Sequence, residues 1–407
     1  KVMKDYDGIV NEFPPGHIVQ LSLNEFGNIS KKNYSFKWVY HVTWKDKEVQ
    51  SEEYYLEKLR TAVINSVRRR LSADRPVAFL LSGGVDSSLV CAISAKILGQ
   101  PINTFCCGMG EGTDLKYAKM VADHIKSNHK EVIFSVEEGL NSIPEVINAT
   151  ESWDTTTVRA SVGQFLVSKF IGQNTDCRVV LVGEGPDEVC SSYMFNWSAP
   201  DGDSLHKAAL KYVEEIHYYD CKRSDRCISH WGLEGRVPLL DPEVIEAYWS
   251  IPAEWRMPTY KGIEKWWLRK AFDGMNLLPD EVLWRKKEAF SDGVSSKEKS
   301  WYEMIQDFCK ENVPDKDFEG RKNCLSNIPP TKEAFYFRYI FQQIHGIKRE
   351  NIIPRFWQPM WSGVKEGEYI DPSARVLSVY DKEEKKAQDD LKKLTETVNQ
   401  LTDTFNI

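Results

Sequence analysis

A glycine-rich turn between an apolar strand and a helix is the part of this sequence best suited to chemistry. It reads "AFLLSGGVDSSLV" over residues 78–90. Backbone N–H groups in such a turn, in front of a helix N-terminus, form an anion site. The common phosphate loop ends in Gly-Lys-Ser/Thr, whereas here Gly83 and Gly84 are adjacent and an aspartate and two serines follow. A helix N-cap needs one such residue rather than a run of them, so we interpret the turn as a phosphate site of another type.

The turn from Ser82 to Ser88 resembles the pyrophosphate loop of the N-type ATP pyrophosphatases. The resemblance implies that the loop holds the β- and γ-phosphates of ATP as a leaving group, while a substrate attacks the α-phosphorus to form an adenylate. That superfamily includes asparagine, GMP, NAD and argininosuccinate synthetases, so the loop indicates the bond that breaks and leaves the product open. The loop residues predicted to bind ATP are Ser82, Gly83, Gly84, Asp86, Ser87 and Ser88.

A second turn, "LVGEGPDEVC" at residues 181–190, carries the carboxylates of Glu184, Asp187 and Glu188. Their spacing places them on one side of a first helical turn. The helix dipole alone favours acidic residues there, but a phosphate loop on the same sheet edge gives them a second use. ATP arrives with Mg²⁺, which prefers carboxylate and phosphate oxygens. We therefore predict that Asp86 and Asp187 bind Mg²⁺ and that Glu184 orients an amine or accepts its proton.

The acidic turn resembles the Gly-Glu-Gly-x-Asp-Glu turn of the asparagine synthetases, and further similar segments follow in the same order. The resemblance covers roughly residues 52–375. The similar segments are "ESWDTTTVRAS" (151–161), "HWGLEGRVPLLDPEV" (230–244), "GIEKWWLRKAF" (262–272), "WRKKEAFSDGV" (284–294) and "WQPMW…DPSAR" (357–375). The resemblance implies ATP and Mg²⁺ as cofactors and aspartate as substrate, with ammonia, or glutamine in full-length enzymes, as the nitrogen source.

The same resemblance assigns roles to further side chains. Thr156, Thr157 and Arg159 occupy the aspartate-binding positions, and the bidentate fork of an arginine suits a carboxylate. Lys287 occupies the position of the cation that offsets negative charge on the leaving pyrophosphate. The loop itself has no lysine. With Glu184, we predict Lys287 and Arg159 as catalytic residues. The residues predicted to line the adenine and ribose pocket, largely through backbone atoms, are Leu80, Cys107, Val182 and Gly183. For Cys107 a thiol buried in the core fits equally well.

The elements that position these residues alternate between short apolar strands and helices. The predicted strands are "PVAFLLS", "INTFCCGM", "KEVIFSV" and "RVVLVGEG", and the predicted helices lie at about 52–71, 86–98, 114–127, 137–148 and 158–171. Alternation of this kind predicts an α/β fold, a parallel twisted sheet with helices on both faces. In such sheets ligands bind outside the carboxyl ends of the strands, where both turns open. The later part, about 203–370, is predicted to be mostly helical.

Composition narrows the class of protein. The formal charge of −7 gives no basic footprint for nucleic acid. No apolar run reaches the 18 residues that suggest a membrane helix. The 9 cysteines show no zinc-type spacing and are best explained as reduced thiols, so we predict a cytoplasmic enzyme with small-molecule partners. A homodimer is left open.

We predict three regions along the chain. Residues 1–50 alternate apolar and polar residues around a Gly-Asn turn, which indicates a β-hairpin, and "NEFPPGHIVQLS" (11–22) resembles the end of a glutaminase domain. We therefore expect roughly 160–180 further residues of such a domain in the full enzyme, judged by ordinary domain lengths. The given chain should then use free ammonia. Residues 51–375 form the synthetase domain, and the charged segment 376–407 is predicted to be helical.

Two other functions stay open at this stage. A related adenylating ligase, such as a β-lactam synthetase, would share the loop and act on another carboxylate. A relative that has lost activity would keep the fold and serve only in binding. The joint presence of Asp86, Glu184, Asp187, Arg159 and Lys287 argues against the second.

Overall fold

The computed structural model describes residues 13, 15–37, 48–110, 112–287, 293–295, 299–324, 326–363 and 368–373, with the backbone alone for 31–37. The helix predicted within 376–407 lies outside the described residues. The boundaries of the three predicted regions stay predictions.

An antiparallel hairpin near the start of the chain precedes the main sheet. It consists of β1 (His17–Leu23) and β2 (Ile29–Lys37), which pair with each other. The side chain of Asn24 accepts hydrogen bonds from the backbone N–H groups of Phe26 and Asn28, and Gly27 has φ +75°. This Asx-type turn is the reason the chain reverses here. The predicted hairpin is confirmed in the described part.

The main sheet has five parallel strands in the order β5-β4-β3-β6-β7. The strands are β3 (Val77–Leu80), β4 (Asn103–Gly108), β5 (Asn128–Ile133), β6 (Val179–Leu181) and β7 (Glu234–Arg236). The register pairs Phe79 with Leu181, so the turns that follow β3 and β6 lie side by side. Because β4 and β6 flank β3 on opposite sides, the strand order changes direction at β3, which is where parallel α/β sheets bind ligands.

Helices cover both faces of this sheet. They are α1 (Glu52–Arg70), α2 (Val85–Leu98), α3 (Thr113–His124), α4 (Val136–Thr150), α5 (Thr155–Asn174), α6 (Pro186–Val189), α7 (Gly202–Glu215), α8 (Asp220–Ser229), α9 (Pro242–Trp249), α10 (Ala253–Arg256), α11 (Pro258–Lys261), α12 (Trp266–Phe272), α13 (Asp280–Leu283), α14 (Trp301–Asn312), α15 (Asp315–Glu319) and α16 (Lys332–His345). Among the described residues, none of these helices is long and apolar enough to cross a membrane.

Alternate side chains of the strands enter two separate cores. Phe79 and Leu181 pack with α1, α2 and α3 on one face, and α9 and α12 join that core. Ala78 and Val180 pack with α4 and α5 on the other face, where α14 and α16 join them. A strand buried on both faces must be apolar at every position. The predicted α/β fold, with a parallel sheet between helices and a mostly helical later part, is therefore confirmed.

Candidate active site

The turns after β3 and β6 open on a cavity of about 160 Å³. Both come from the carboxyl ends of neighbouring parallel strands. The predicted residues that border the cavity are Leu80, Ser82, Gly84, Asp86, Ser87, Gly183, Glu184, Asp187 and Lys287. Sequence positions from 80 to 287 therefore converge on one site.

The glycine turn after β3 is shaped by its contacts with α3. Gly83 has φ +76°, and a Cβ at this position would lie 2.5 Å from Cβ of Tyr117 and 2.6 Å from the backbone N of Ala118. No residue other than glycine fits without a shift of the backbone. Ser87 Oγ accepts a hydrogen bond from the backbone N–H of Ser82 at 3.2 Å and lies 3.0 Å from Ser82 Oγ. These bonds hold the turn closed.

The N-terminus of α2 carries the features of an anion site. Gly84 caps this helix, and no side chain of the described residues caps it in turn. The N–H groups of a first helical turn attract negative charge when no side chain occupies them. Ser88 Oγ is buried and has no hydrogen-bond partner within the described chain. A phosphate oxygen would satisfy these donors.

Gly183, at the end of β6, lets the two turns approach each other. A Cβ at Gly183 would lie 2.6 Å from the backbone N of Ser87 and 2.9 Å from its Cα. The β6 turn therefore packs directly on the start of α2, and a side chain at this position would push the two apart.

Two lysines and two aspartates form a charged cluster at the cavity. Lys265 pairs with Asp86 and Asp187, and Lys287 pairs with Asp187. Burial alone raises the pKa of Asp187, but both ammonium groups outweigh it and hold that pKa far below its usual range. Burial lowers the pKa of Lys265, but Asp187 and Asp86 outweigh it and raise that pKa above the ordinary value. Asp187 and Lys265 therefore stay charged at neutral pH.

Lys265 is a residue that sequence reasoning missed. It lies inside the segment "GIEKWWLRKAF", which resembles the family but to which no residue role was assigned. Lys265 directly precedes α12 in a left-handed conformation with φ +56°, and it is 4% exposed. The sequence signal that could have indicated it is a lysine directly before two tryptophans, where a buried charged side chain needs a partner.

Glu184 follows Gly183 in the turn after β6 and borders the same cavity. Its Oε1 accepts a hydrogen bond from Gln164 Nε2 at 2.9 Å and lies 3.4 Å from a terminal nitrogen of Arg223. Burial raises the pKa of Glu184, and the nearby Arg223 and Gln164 offset only part of that effect. A carboxylate with a raised pKa is a better base than an exposed one. Gln164 and Arg223 were also not predicted.

Further positive charge comes from the segment before Lys287. Arg285 stacks its guanidinium on the ring of Tyr117 at 3.9 Å and donates to the Gly83 carbonyl at 3.3 Å and to Asp114 at 3.2 Å. Lys286 also borders the cavity. Arg285 therefore braces the glycine turn and brings cationic side chains towards the place where phosphates would lie. The sequence analysis assigned a role only to Lys287 in this segment.

Two residues predicted to line the nucleotide pocket have their side chains in the core. The Cys107 thiol donates to the Gly163 carbonyl at 3.1 Å, and burial raises the pKa of that thiol. The side chain of Val182 packs in the same core. Any contact of either residue with a nucleotide would come from its backbone, so their assignment stays a prediction.

The predicted aspartate-binding threonines lie in the first turn of α5. The N–H and hydroxyl groups of Thr157 both donate to Asp154 Oδ2 at 2.9 Å. Asp154 also accepts from the backbone N–H of Trp357 at 2.9 Å. Thr157 therefore serves the helix cap in this structure. The Thr156 hydroxyl is buried and has no partner among the described residues, so its predicted role stays open.

Arg159 does not border the cavity of the glycine turn, which departs from the predicted substrate fork. Its Nε donates to Glu333 Oε1 at 2.6 Å, and its terminal nitrogens donate to the two oxygens of Asp371 at 2.8 Å. Burial lowers the pKa of Arg159, but these carboxylates outweigh it and raise that pKa. Two bidentate partners already occupy the guanidinium, so in this structure Arg159 joins α5 to α16 and to the segment 368–373.

The fit of a magnesium ion rests on Asp86 and Asp187. Among the described residues no group of three acidic, histidine or cysteine side chains forms a metal site. However, Asp86 Oδ1 is buried without a hydrogen-bond partner in that part of the chain, and both carboxylates border the cavity. Mg²⁺ binds proteins through one or two carboxylates plus substrate phosphates. The residues present fit such a shared site.

Comparisons with known proteins place the sequence in a family. The sequence model of the asparagine synthase family matches residues 58–200 and 194–351. A glutamine-hydrolyzing asparagine synthetase of Gallus gallus is 40% identical over 390 residues, which is 91% of this chain and 68% of the relative. The corresponding protein of Homo sapiens is 39% identical over 386 residues, with the same coverage.

Among solved structures, an NMN synthetase from Francisella tularensis matches 74% of this chain and 96% of its own at 13% identity. The TM-score is 0.31, and a similarity of this size carries no argument about this chain.

Proposed function

The chain belongs to the asparagine synthase family, and from this premise we propose that its cavity activates aspartate with ATP and converts it to asparagine. A side-chain carboxylate oxygen of aspartate bonds to the α-phosphorus, the α–β phosphoanhydride bond breaks, and pyrophosphate leaves. Ammonia then attacks the acyl carbon, the bond to AMP breaks, and asparagine forms.

One observation carries the proposal: a phosphate-type turn, a cluster of cations and a partly buried carboxylate of raised pKa face a single cavity. Glycine-turn N–H groups and serine hydroxyls suit the β- and γ-phosphates. Lys265 and Lys287 lie where negative charge on the leaving pyrophosphate would develop, and fixed cations stabilise such charge in a site shielded from water. Glu184 suits the amine half of the reaction because it can accept a proton.

Asp86 and Asp187 would hold Mg²⁺, which neutralises phosphate charge when it is bound with ATP. Both aspartates share Lys265 as a partner. The protein's own contribution is therefore a pair of carboxylates that are bridged by one ammonium group. The glycine turn sets how closely the phosphates approach them.

The nitrogen source and the assembly are finer parts of the proposal. The relatives are named as glutamine-hydrolyzing, and we propose ammonia as the immediate nucleophile, with glutamine as its source in the full enzyme. The homodimer and the cytoplasmic location stay predictions. Comparing ammonium with glutamine as nitrogen donors, and sedimentation of the purified protein, would test the donor and the assembly.

Product analysis tests the reaction directly. The protein is incubated with aspartate, ATP, Mg²⁺ and ammonium, and nucleotides and amino acids are separated. We expect AMP, pyrophosphate and asparagine in equal amounts. Formation of ADP and orthophosphate would contradict attack at the α-phosphorus. Omission of aspartate serves as the control, since AMP should then not accumulate.

A further inference from the structure

An uncharged amide lies inside the candidate active site between groups of opposite charge. Gln164, on α5, is 1% exposed and borders the cavity. Its Nε2 donates to Glu184 Oε1 at 2.9 Å and to Ser224 Oγ at 3.1 Å. Its Oε1 accepts from a terminal nitrogen of Arg223 at 2.6 Å. One side chain thus connects the acidic turn after β6 with α8.

The surroundings of Gln164 permit one orientation of the amide. Its nitrogen end has two donors and its oxygen end only accepts. A reversed amide would place its oxygen against the Glu184 carboxylate and its NH₂ group against the Arg223 guanidinium. Both contacts would be repulsive, so the amide is held with its NH₂ group towards the Glu184 carboxylate and its oxygen towards the Arg223 guanidinium.

The amide changes how Arg223 and Glu184 meet. Arg223 makes its closest contacts with Gln164 at 2.6 Å and with Asp220 at 2.9 Å, and it lies 3.4 Å from Glu184. A fork of two short bonds between arginine and carboxylate would engage both carboxylate oxygens. With the amide bound to both residues, Arg223 makes one long contact of 3.4 Å with Glu184 in place of a fork of two short bonds.

A group of the same three residue types elsewhere behaves differently. Arg338 donates to Glu350 through two nitrogens, at 2.7 and 3.1 Å, and Gln342 adds a bond of 2.7 Å to the same carboxylate. There the arginine closes on the carboxylate and the glutamine only supplements it. The same three residue types can therefore pair without an amide bound to both the carboxylate and the guanidinium, so the arrangement at Gln164 is specific to its site.

We propose that Gln164 is a positioning residue for the second half-reaction, because it holds the Glu184 carboxylate at the cavity and keeps Arg223 from closing on it. The inference rests on the proposed function. As the ammonia nitrogen bonds to the acyl carbon, the bond from that carbon to the AMP oxygen breaks and its electron pair leaves with AMP. The proton lost by nitrogen passes to Glu184. Gln164 does not touch the reacting atoms.

The test separates the two half-reactions in Gln164→Met, which keeps the length of the side chain and removes both hydrogen-bonding ends. Aspartate-dependent exchange of pyrophosphate into ATP reports adenylation, and asparagine formed per AMP reports amide formation. We expect exchange close to that of the unaltered protein. Asparagine per AMP should fall about tenfold or more, since a displaced base leaves the adenylate to water.

A second variant and a control sharpen the test. Gln164→Glu keeps the shape but turns a like charge towards Glu184, which opposes ionisation of that pair, so the fall in asparagine per AMP should be larger. Gln342→Met makes the same change in the comparison group and should leave the ratio unaltered.

The outcomes distinguish the inference from the function beneath it. An unaltered protein that neither exchanges pyrophosphate nor makes asparagine would overturn the proposed function. If that protein makes asparagine and Gln164→Met keeps its asparagine-to-AMP ratio, the positioning role alone is wrong. A parallel loss of exchange and amide formation with a lowered unfolding midpoint would also overturn it, since a structural role lowers both together.

Discussion

Two buried groups of charged side chains in this protein differ in what they leave unsatisfied. At the cavity, Lys265 joins Asp86 and Asp187, and Asp86 Oδ1 has no partner within the described residues. Away from it, Arg159 binds Glu333 and Asp371 through paired contacts. Both groups contain cations and carboxylates in low-dielectric surroundings. The Lys265 group borders a cavity and has a carboxylate oxygen without a partner among the described residues, whereas the guanidinium of the Arg159 group is fully paired with protein carboxylates.

The difference shows how ion pairs divide between structure and function. Arg159, Glu333 and Asp371, the closed group, connect distant segments, and removing one member leaves buried charge uncompensated. Lys265, Asp86 and Asp187, the open group, stabilise the fold less well, but they can exchange partners with an incoming phosphate or metal. We therefore expect changes in the closed group to alter folding and changes in the open group to alter chemistry.

The largest effect should come from Arg159→Met. The substitution leaves Glu333 and Asp371 buried next to each other without a cation, and the free energy of unfolding should fall by about 3–5 kcal/mol. Urea denaturation measures it. Lys119→Met, which removes an exposed pair with Asp123, should cost less than about 1 kcal/mol.

A different outcome for Arg159→Met would contradict the division into a structural and a functional group. If its loss raises the KM for aspartate while the denaturation midpoint stays the same, the closed group is a substrate site, as the sequence resemblance implied. The two groups would then both be functional.

Next in size is Lys265→Met in the open group. The rate of aspartate-dependent pyrophosphate exchange should fall about 10²–10³-fold, as for other fixed donors that stabilise developing charge. Circular dichroism should show a folded protein. Lys270→Met, which removes a surface pair with Asp273, is the matched control and should keep normal exchange. A folded Lys265 variant with unaltered exchange would show that this cation is dispensable.

A third prediction compares Glu184 and Glu333, two glutamates whose pKa values are raised by burial. Glu184→Gln should keep pyrophosphate exchange and lose amide formation by at least about 10²-fold, the usual contribution of a general base. Glu333→Gln should lower stability and leave the ratio of asparagine to AMP unaltered. Amide formation that survives in Glu184→Gln would contradict its assigned role.

The smallest effect is in the pH dependence of the closed group. Burial raises the pKa of Asp371, but Arg159 outweighs it and lowers that pKa below 3.8. A carboxyl pKa that is lowered in the folded protein adds to stability at a pH above the pKa of the unfolded chain. This contribution is lost as the pH falls from that value through the folded pKa. Asp371→Asn should therefore lose stability less steeply below about pH 4, by at most about 1.4 kcal/mol per pH unit. Denaturation between pH 5 and 3 measures the slope, and an unchanged slope would contradict the pairing.

Much of the fold could be predicted because its signals are local. Short apolar strands alternated with helical periodicity, and the observed β4 (Asn103–Gly108) lies within the predicted strand. The glycine turn and the acidic turn were both placed at strand ends, where parallel sheets gather their loops. Their chemistry could be predicted because glycines and carboxylates occur together in each turn, and the glycine turn adds serines.

Contacts between distant segments could not be predicted in the same way. Arg159 lies 174 positions from Glu333 and 212 from Asp371, and no local pattern links them. The sequence showed an arginine beside threonines, which suited a substrate carboxylate, but protein carboxylates reached it in the folded chain. Lys265 was overlooked for the same reason, since its partner Asp86 lies 179 positions away.

The sequence by itself determined which groups are present and on which edge of the sheet they lie, because hydrophobic periodicity and turn residues act over a few positions. Only the tertiary structure decided which charges pair and which stay available. The energy of an ion pair depends on distance and burial, and both are set by how the helices of the later half pack on the sheet. The glycine turn is therefore a property of residues 82–88, whereas the cations that complete its site are a property of the whole fold.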